Sequence, residues 1–246
     1  MMAVFVIPAF NEEANVPRLL ADLESRPDLW REGGWVVLVD DGSTDGTIEA
    51  AQAHDGDLPV EVLPLVRNQG PGKAFDRGFR RALTFAPDDE LIVTLESDTT
   101  SDLDSLEAML AAARDGADVV LASHHAGGEL MNVSRHRRFL SRAASSVIRR
   151  GGGLDASTVS SFFRVYRASA LHAGYERYGD SFIRERGFAC KAEILMKLSA
   201  LGITIAEVPV VLDWSRREGE SKMKVLPTMG GYARLMARQA VARARS

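Results

Sequence analysis

The chain has 246 residues, enough for one large domain with a substantial core. Its 46% hydrophobic and 26% charged residues are typical of a water-soluble globular protein, and no stretch approaches the roughly 18 consecutive apolar residues of a membrane span. The net charge of -4 excludes a general attraction to nucleic acid, and the single cysteine, Cys190, excludes an internal disulfide. The N-terminus lacks the basic region of a signal peptide, so we expect a cytoplasmic protein.

In the first half, short β-branched segments alternate with amphipathic ones, the pattern of βαβ units around a mostly parallel sheet. Strands are predicted at 3–8, 35–40, 60–66, 90–95 and 117–122, and helices at 12–25, 45–54, 71–86 and 102–115. In such sheets ligands bind beyond the carboxyl ends of the strands. The loops after strands one, two and four are therefore where we expect function.

The pattern after residue 123 is less regular. A Gly- and His-containing loop precedes the remaining predicted elements, which are a basic helix at 134–150, a strand at 160–166, a helix at 185–201, a strand at 203–212 and a helix at 225–243. Without a linker or an internal repeat, these elements belong to the same α/β domain as the first half.

Polar groups follow the first two strands. Pro8 is expected to end strand one and Asn11 to cap the next helix, as in an ordinary turn. Strand two ends in Asp40-Asp41-Gly42-Ser43-Thr44, where the glycine lets a ligand approach and an aspartate can accept hydrogen bonds from ribose or a base. Thr44 could simply cap a helix, but two adjacent aspartates exceed what a cap needs, which favours a binding role.

Two glycine-containing basic segments suit phosphate. Residues 67–74 form a Gly-rich turn into a helix N-terminus with Lys73, although the spacing is not that of a P-loop. Residues 216–222 place two arginines, Ser221 and Lys222 on one loop, which can close on a phosphate through charge-assisted hydrogen bonds. A solvated basic loop is the alternative for the second segment.

Strand four ends in an acidic segment, Glu96-Ser97-Asp98. Carboxylates two residues apart in extended backbone point the same way and repel unless a cation lies between them. Oxygen ligands suit Mg²⁺ or Mn²⁺, which can bridge diphosphate oxygens. A solvated turn is the alternative, but the position after the fourth strand favours a metal site.

Together these blocks resemble the family-2 glycosyltransferases of GT-A fold, and within them the polyprenyl-phosphate (dolichol-phosphate) mannosyl- and glucosyltransferases. The resemblance runs in order through VFVIPAFNEEANV, VVLVDDGSTDGT, RNQGPGKAFDRGF, LESDTTSD, SFFRVYR, GFACKAEILMKL and EVPVVLDWSRREGESKM. The pattern R-x-x-G-x-S-K from Arg216 to Lys222 is similar to the polyprenyl-phosphate branch. The resemblance implies one GT-A domain over 1–246, with a nucleotide-sugar-binding half at 1–123, an acceptor-side half at 124–224 and a C-terminal helix at 225–246.

The resemblance also implies roles for individual residues. Nucleotide binding would fall to Pro8, Ala9, Phe10, Glu12, Asp40, Asn68, Lys73 and Ser97, and metal binding to Glu96 and Asp98. The acceptor and phosphate side would consist of Arg138, Arg142, Arg164, Arg216, Ser221 and Lys222, and the catalytic residues would be Asp98, Arg216 and Lys222. Three positions depart from the family pattern, namely Glu96 for the first aspartate of D-x-D, Thr100 for glutamine and Thr158 for aspartate.

The implied reaction is metal-assisted transfer of a hexose, with inversion, from a GDP- or UDP-linked sugar to a phosphorylated polyprenyl lipid. A lipid phosphate is already ionised and needs no general base, whereas a hydroxyl acceptor would need one, with Glu185 and Asp180 as first candidates. A soluble small-molecule or glycan acceptor is the main alternative. A nucleotidyltransferase and a non-catalytic sugar-nucleotide-binding module are weaker ones, and no nucleic-acid motif is present.

The last helix mixes apolar and arginine positions at helical spacing. It either lies on the anionic inner face of a membrane, which would bring the enzyme to a lipid acceptor, or packs on the protein with a wet arginine face. The sequence leaves both open.

Overall fold

The computed structural model describes residues 3–123, 129–131, 156–159, 161–213 and 225–243. Its first half has the predicted alternation of strands and helices. The strands are β1 Ala3–Ala9, β2 Trp35–Asp40, β3 Val60–Pro64, β4 Leu91–Thr94 and β5 Val119–Ser123, and the helices are α1 Val16–Glu24, α2 Thr47–Gln52, α3 Pro71–Leu83 and α4 Leu106–Arg114.

The described part of the second half adds four strands and three helices. In chain order they are β6 Glu129–Met131, β7 Arg164–Arg167, α5 Ala168–Tyr178, α6 Cys190–Ser199, β8 Ile205–Pro209, β9 Val211–Asp213 and α7 Val225–Arg243. None of the helices within the described ranges is long and apolar enough to cross a membrane.

Seven strands form one sheet in the order β3-β2-β1-β4-β7-β5-β8. Neighbouring strands pair in parallel except at β7, which is antiparallel to both β4 and β5. The short strands β6 and β9 pair separately. The expected α/β class with a mostly parallel sheet is therefore confirmed, and the carboxyl ends of β1, β2, β3 and β4 share one edge.

Helices cover both faces of the sheet. Successive side chains of β1 point to opposite sides, so that Val6 packs with Phe75 and Phe79 of α3 in one core. Phe5 packs in the second core, together with Met109 of α4. Burial on both faces explains why the first strands are almost continuously hydrophobic in sequence.

Several predicted boundaries are corrected in the second half. Helix α5 was not predicted, because Gly174 weakens its helical pattern; a side chain there would meet the Phe182 ring at 2.6 Å. The strand expected at 160–166 occupies only Arg164–Arg167, and the one at 203–212 is divided at Val210. The basic helix expected at 134–150 lies outside the described residues.

The expectation that Pro8 ends strand one is wrong. Pro8 lies inside β1 and pairs in register with Val39 of β2. On the other side, β4 pairs with β1 only as far as Val6. Pro8 therefore has no ladder to break on that side, and its missing N–H is tolerated.

Candidate active site

The loops after β1 and β2 are tied together by reciprocal hydrogen bonds. The Thr44 N–H donates to the Asn11 side-chain oxygen at 2.8 Å, and the Asn11 N–H donates to Ser43 Oγ at 2.9 Å. The Glu12 N–H donates to Thr47 Oγ1 at 2.8 Å. Asn11 adopts a left-handed backbone with φ of 54°. It therefore caps the neighbouring loop instead of α1, which corrects the sequence-based expectation.

The first aspartate of the β2 loop shapes that loop from inside. Asp40 is buried, and its carboxylate accepts hydrogen bonds at 3.1 Å from the backbone N–H groups of Gly42 and Ser43. Its main chain pairs with Ala9 of β1 and accepts from the Leu65 N–H. Asp40, predicted to bind the nucleotide, thus lies at the sheet edge, and its carboxylate is hydrogen-bonded to the loop that follows it.

The second aspartate holds the turn that precedes α3. The Asp41 carboxylate accepts hydrogen bonds from the N–H groups of Gln69 at 2.7 Å and Gly70 at 2.8 Å. Burial raises the pKa of Asp41, and these two hydrogen bonds oppose that rise. Asp41 therefore joins the loop after β2 to the predicted phosphate turn, a role that the sequence did not assign to it.

The other predicted nucleotide-binding residues in β1 and its loop line the same edge. Ala9 and Glu12 are buried, whereas Pro8 and Phe10 are partly exposed. The Glu12 carboxylate accepts a hydrogen bond from the Asn15 side chain at 2.7 Å. Pro8 and Phe10 are thus the members of this set that offer surface to a ligand.

Lys73 lies in the first turn of α3 with its side chain about half exposed, at 48%. Its Nζ is 2.7 Å from Asp76, which also accepts from Arg80 Nε at 3.0 Å and from the Tyr175 hydroxyl at 3.1 Å. Burial alone would raise the pKa of Asp76, but the two basic neighbours outweigh it and lower that pKa. A lysine held at a helix N-terminus suits an anionic ligand. Asn68, also predicted here, is exposed.

A segment at residues 184–189, which we name the strap, supports this turn from behind. The Gly72 N–H donates to the Arg186 carbonyl oxygen at 2.8 Å. On the other side, the buried Glu185 carboxylate pairs with Arg234 at 3.1 Å and Arg238 at 2.9 Å, both on α7. The strap thus connects the C-terminal helix with the start of α3.

The candidate bases for a hydroxyl acceptor are both engaged elsewhere. Glu185 is buried in its pairing with α7, and the fully exposed Asp180 carboxylate pairs with Arg80 at 2.8 Å. Neither carboxylate therefore has the placement expected of a general base at the sheet edge.

The acidic pair directly follows β4. Ser97 and Asp98 are buried, and Glu96 is partly exposed. Asp98 Oδ1 accepts from the Thr100 N–H at 3.2 Å and from Thr100 Oγ1 at 2.6 Å. Thr99 has a φ of 61°, which is unusual for a β-branched residue. Strain of this kind concentrates at functional sites, and here it turns the chain so that Thr100 can orient Asp98.

The chemistry of the pair fits a hard divalent cation. Two carboxylates supply the oxygen ligands that Mg²⁺ and Mn²⁺ prefer. Among the residues that the structure describes, however, no group of three or more His, Cys, Asp or Glu side chains could hold a metal ion. A metal bound by Glu96 and Asp98 would therefore need further ligands, and diphosphate oxygens are suitable ones.

On the acceptor side, Arg164 does not line the site as expected. It is buried, and its guanidinium donates to the carbonyl oxygens of Lys191 at 2.8 Å and Val159 at 3.1 Å and to the Tyr166 hydroxyl at 3.1 Å. Arg164 therefore supports the site from within. The other predicted acceptor and phosphate residues, Arg138, Arg142, Arg216, Ser221 and Lys222, lie outside the described residues.

Thr158, one of the departures from the family pattern, is also buried. Its N–H donates to the Glu207 carboxylate at 2.8 Å, and its hydroxyl lies 2.7 Å from Ser123 Oγ. This residue therefore joins the loop before β7 to β5 and β8.

Comparison with known proteins agrees with this geometry. Residues 4–174 match the family model described as Glycosyl transferase family 2. An undecaprenyl-phosphate mannosyltransferase from Micrococcus luteus is 32% identical over 225 residues, covering 91% of this chain and 88% of the relative. A polyprenol monophosphomannose synthase from Mycolicibacterium smegmatis is 27% identical over 227 residues, covering 89% and 79%.

Among solved structures, glucosyl-3-phosphoglycerate synthase from Mycobacterium tuberculosis, in complex with Mn²⁺, uridine diphosphate and glucosyl-3-phosphoglycerate, has a TM-score of 0.63 at 19% identity. The alignment covers 98% of this chain and 79% of that one. At this level of identity the likeness concerns the fold.

The sheet with its tied loops and acidic pair is that of an α/β enzyme of GT-A fold, a glycosyltransferase. Because the family model matches well over half of its length, the chain belongs to glycosyl transferase family 2.

Proposed function

We propose that this protein is an inverting hexosyltransferase that moves a sugar from a GDP- or UDP-linked donor to a polyprenyl phosphate. The observation that carries the proposal is the acidic pair, Glu96 and Asp98, at the carboxyl end of β4 beside the tied loops. The names of the two relatives support the acceptor class and favour mannose as the sugar.

Different residues at the sheet edge are proposed to contact different parts of the donor. Pro8 and Phe10 offer contact surface to the nucleoside. The diphosphate is proposed to lie at the N-terminus of α3, where the positive end of the helix dipole and the Lys73 ammonium favour negative charge. When bound by Glu96 and Asp98, Mg²⁺ or Mn²⁺ would neutralise charge that develops on the leaving diphosphate. Arg216, Ser221 and Lys222 are proposed to close on the phosphates.

A phosphate acceptor needs no base, and the two candidate bases in the described part of the chain are both held in ion pairs. The ionised oxygen of the phosphate can attack the anomeric carbon directly, while the bond from that carbon to the diphosphate breaks on the opposite side, which inverts the centre. A hydroxyl acceptor would need a carboxylate within hydrogen-bond reach. The ion pairs of Asp180 and Glu185 therefore favour the lipid phosphate over a soluble hydroxyl.

Direct transfer assays test this proposal. Radiolabelled GDP-mannose or UDP-glucose is incubated with Mn²⁺ and detergent-dispersed undecaprenyl phosphate, and label is counted in the organic phase. We expect label only when the lipid is present, and about a hundredfold less with Asp98→Asn, because the leaving charge loses its stabilisation. The matched control is Asp104→Asn, which removes an exposed acid and should transfer normally. Full activity of the Asp98 variant, or label only in a soluble acceptor, would contradict the proposal.

We also propose that α7 meets the inner face of the membrane. Met229 is 55% exposed on this helix, whereas Thr228 and Leu235 are buried against the protein. Because Leu235 belongs to the core, a point change is a better test than truncation. Met229→Glu should weaken co-sedimentation with phosphatidylglycerol vesicles and leave the melting temperature unchanged; equal sedimentation would remove membrane contact through this face.

A further inference from the structure

One buried lysine lies beside the acidic pair and has no part in the function described so far. Lys191 is in the first turn of α6 and is 4% exposed. Its Nζ lies 4.4 Å from the centroid of the Phe162 ring and 5.3 Å from that of Phe188. Aromatic faces attract a cation, but an ammonium removed from water also needs opposite charge nearby.

The packing of β4 places Lys191 near the segment that leads into the acidic pair. Thr94, the last residue of β4, donates from its hydroxyl to the Phe162 carbonyl oxygen at 2.5 Å and pairs in register with Arg164. Arg164 in turn holds the Lys191 carbonyl oxygen at 2.8 Å. These contacts fix Lys191 beside the end of β4. The last residue of β4, Thr94, is two residues before Glu96, the first member of the acidic pair.

The charges of this group act on one another. Burial lowers the pKa of Lys191, and the carboxylates of Glu96 and Asp98 oppose that change by favouring the ammonium form. The ammonium in return offsets part of the repulsion between the two carboxylates. Without it, the pair would be a more strongly negative site for any cation from solution.

We propose that Lys191 is the fixed counter-charge of Glu96 and Asp98, so that these carboxylates take up a divalent cation together with a nucleoside diphosphate and only weakly without one. The inference rests on the metal site of the proposed function and adds a reason for coupled binding. Within the described ranges no third His, Cys, Asp or Glu side chain joins the two carboxylates to hold a metal ion, and the ammonium cancels part of their charge. The diphosphate supplies both the missing oxygen ligands and additional negative charge.

Binding of Mn²⁺, measured by electron paramagnetic resonance of the free ion, tests this directly and does not depend on turnover. Wild-type protein should bind Mn²⁺ at least about tenfold more weakly alone than in the presence of GDP or UDP. Lys191→Gln should bind Mn²⁺ alone at least about tenfold more tightly than wild type, because a like charge has been removed. Lys191→Arg keeps the charge and should resemble wild type.

Lys197→Gln is the matched control, since Lys197 lies on the same helix but pairs with Glu193. It should leave Mn²⁺ binding unchanged. Wild-type affinity in a folded Lys191→Gln protein would overturn the proposal, and circular dichroism establishes folding. If that variant does not fold, the wild-type measurement decides, because equal Mn²⁺ affinity with and without nucleotide also overturns it. A complete lack of Mn²⁺ binding in every mixture would overturn the metal site of the proposed function as well.

Discussion

Gly72 provides a sharp test of how the strap supports the turn at residues 67–72, which we name the donor turn after the function proposed for it. A Cβ at this position would overlap the carbonyl oxygen of Glu185 and lie 3.0 Å from its carbonyl carbon and 3.1 Å from Cys190 Cβ. Carbon atoms in contact normally lie about 3.5–4.0 Å apart. The main obstacle is backbone, which cannot rotate aside, so Gly72→Ala forces the strap away from α3.

Two effects of this substitution oppose each other. Replacing glycine with alanine in a helix stabilises by up to about 1 kcal/mol. Overpacking a tight contact costs about 1–3 kcal/mol, or more where backbone must move. We expect the second effect to dominate, with a net loss of about 2 kcal/mol, which corresponds to roughly 4–8 °C in Tm for a chain of this size.

The assay compares Gly72→Ala with Gly187→Ala by urea and thermal unfolding. Gly187 lies on the same strap, and a Cβ there would meet nothing within 4 Å. The control should stay within about 0.5 kcal/mol of wild type. The Gly72 variant should also bind GDP or UDP several-fold more weakly, because its turn is displaced. If it were as stable as wild type, the close contact between strap and turn would be refuted.

Three further predictions concern buried carboxylates. Asp41→Asn should lower the free energy of unfolding by about 1–3 kcal/mol in urea titrations, because an amide cannot accept from both N–H groups of the donor turn; unchanged stability would contradict that role. Because the pKa of Asp76 is lowered in the folded protein, its ionised carboxylate stabilises the fold. This stabilisation is fully present above the ordinary carboxyl pKa of about 4, and it is lost as the pH falls through the lowered pKa. The fall in stability at acidic pH should therefore flatten in Asp76→Asn, and identical pH profiles would argue against it. Glu185→Gln should speed amide hydrogen exchange in α7 about tenfold and leave β4 unchanged, because the ion pairs to Arg234 and Arg238 are lost; equal exchange would show that other contacts hold the helix.

The features that could be predicted from sequence are those fixed by local pattern. Because both faces of the sheet are buried, β1 and β2 are continuous hydrophobic segments in the sequence. The polar groups that follow each strand indicate the edge where ligands bind. The acidic pair after β4 was found in this way. The adjacency of Asp40 and Asp41 was also noticed, although their separate tasks depend on which backbone amides they face.

What could not be predicted depends on contacts between distant parts of the chain. Arg164 was assigned to the acceptor side because its segment resembles one that lines the acceptor side in the family. Its actual partners include Val159 and Lys191, and only the packing of β7 against α6 shows that the guanidinium is buried. Helix α5 was missed for a related reason, since its glycine is required by contact with Phe182 and weakens the local helical signal. The available sequence signal for Lys191 was a lysine flanked by Cys190 and Ala192 at the start of a helix.

The second half of the chain therefore also supplies buried charged residues that support the sheet edge formed by the first half. Arg164, Glu185 and Lys191 are each buried and charged, and all three lie behind the donor turn or the acidic pair. Buried ion pairs often give little net stability compared with apolar residues of similar size, because desolvation offsets the attraction. Stability alone is thus a weak reason for three such groups in one region. Their common consequence is that the donor turn and the carboxylates of Glu96 and Asp98 are held in place before any ligand arrives, and such preorganisation is the condition for stabilising charge as it develops in a reaction.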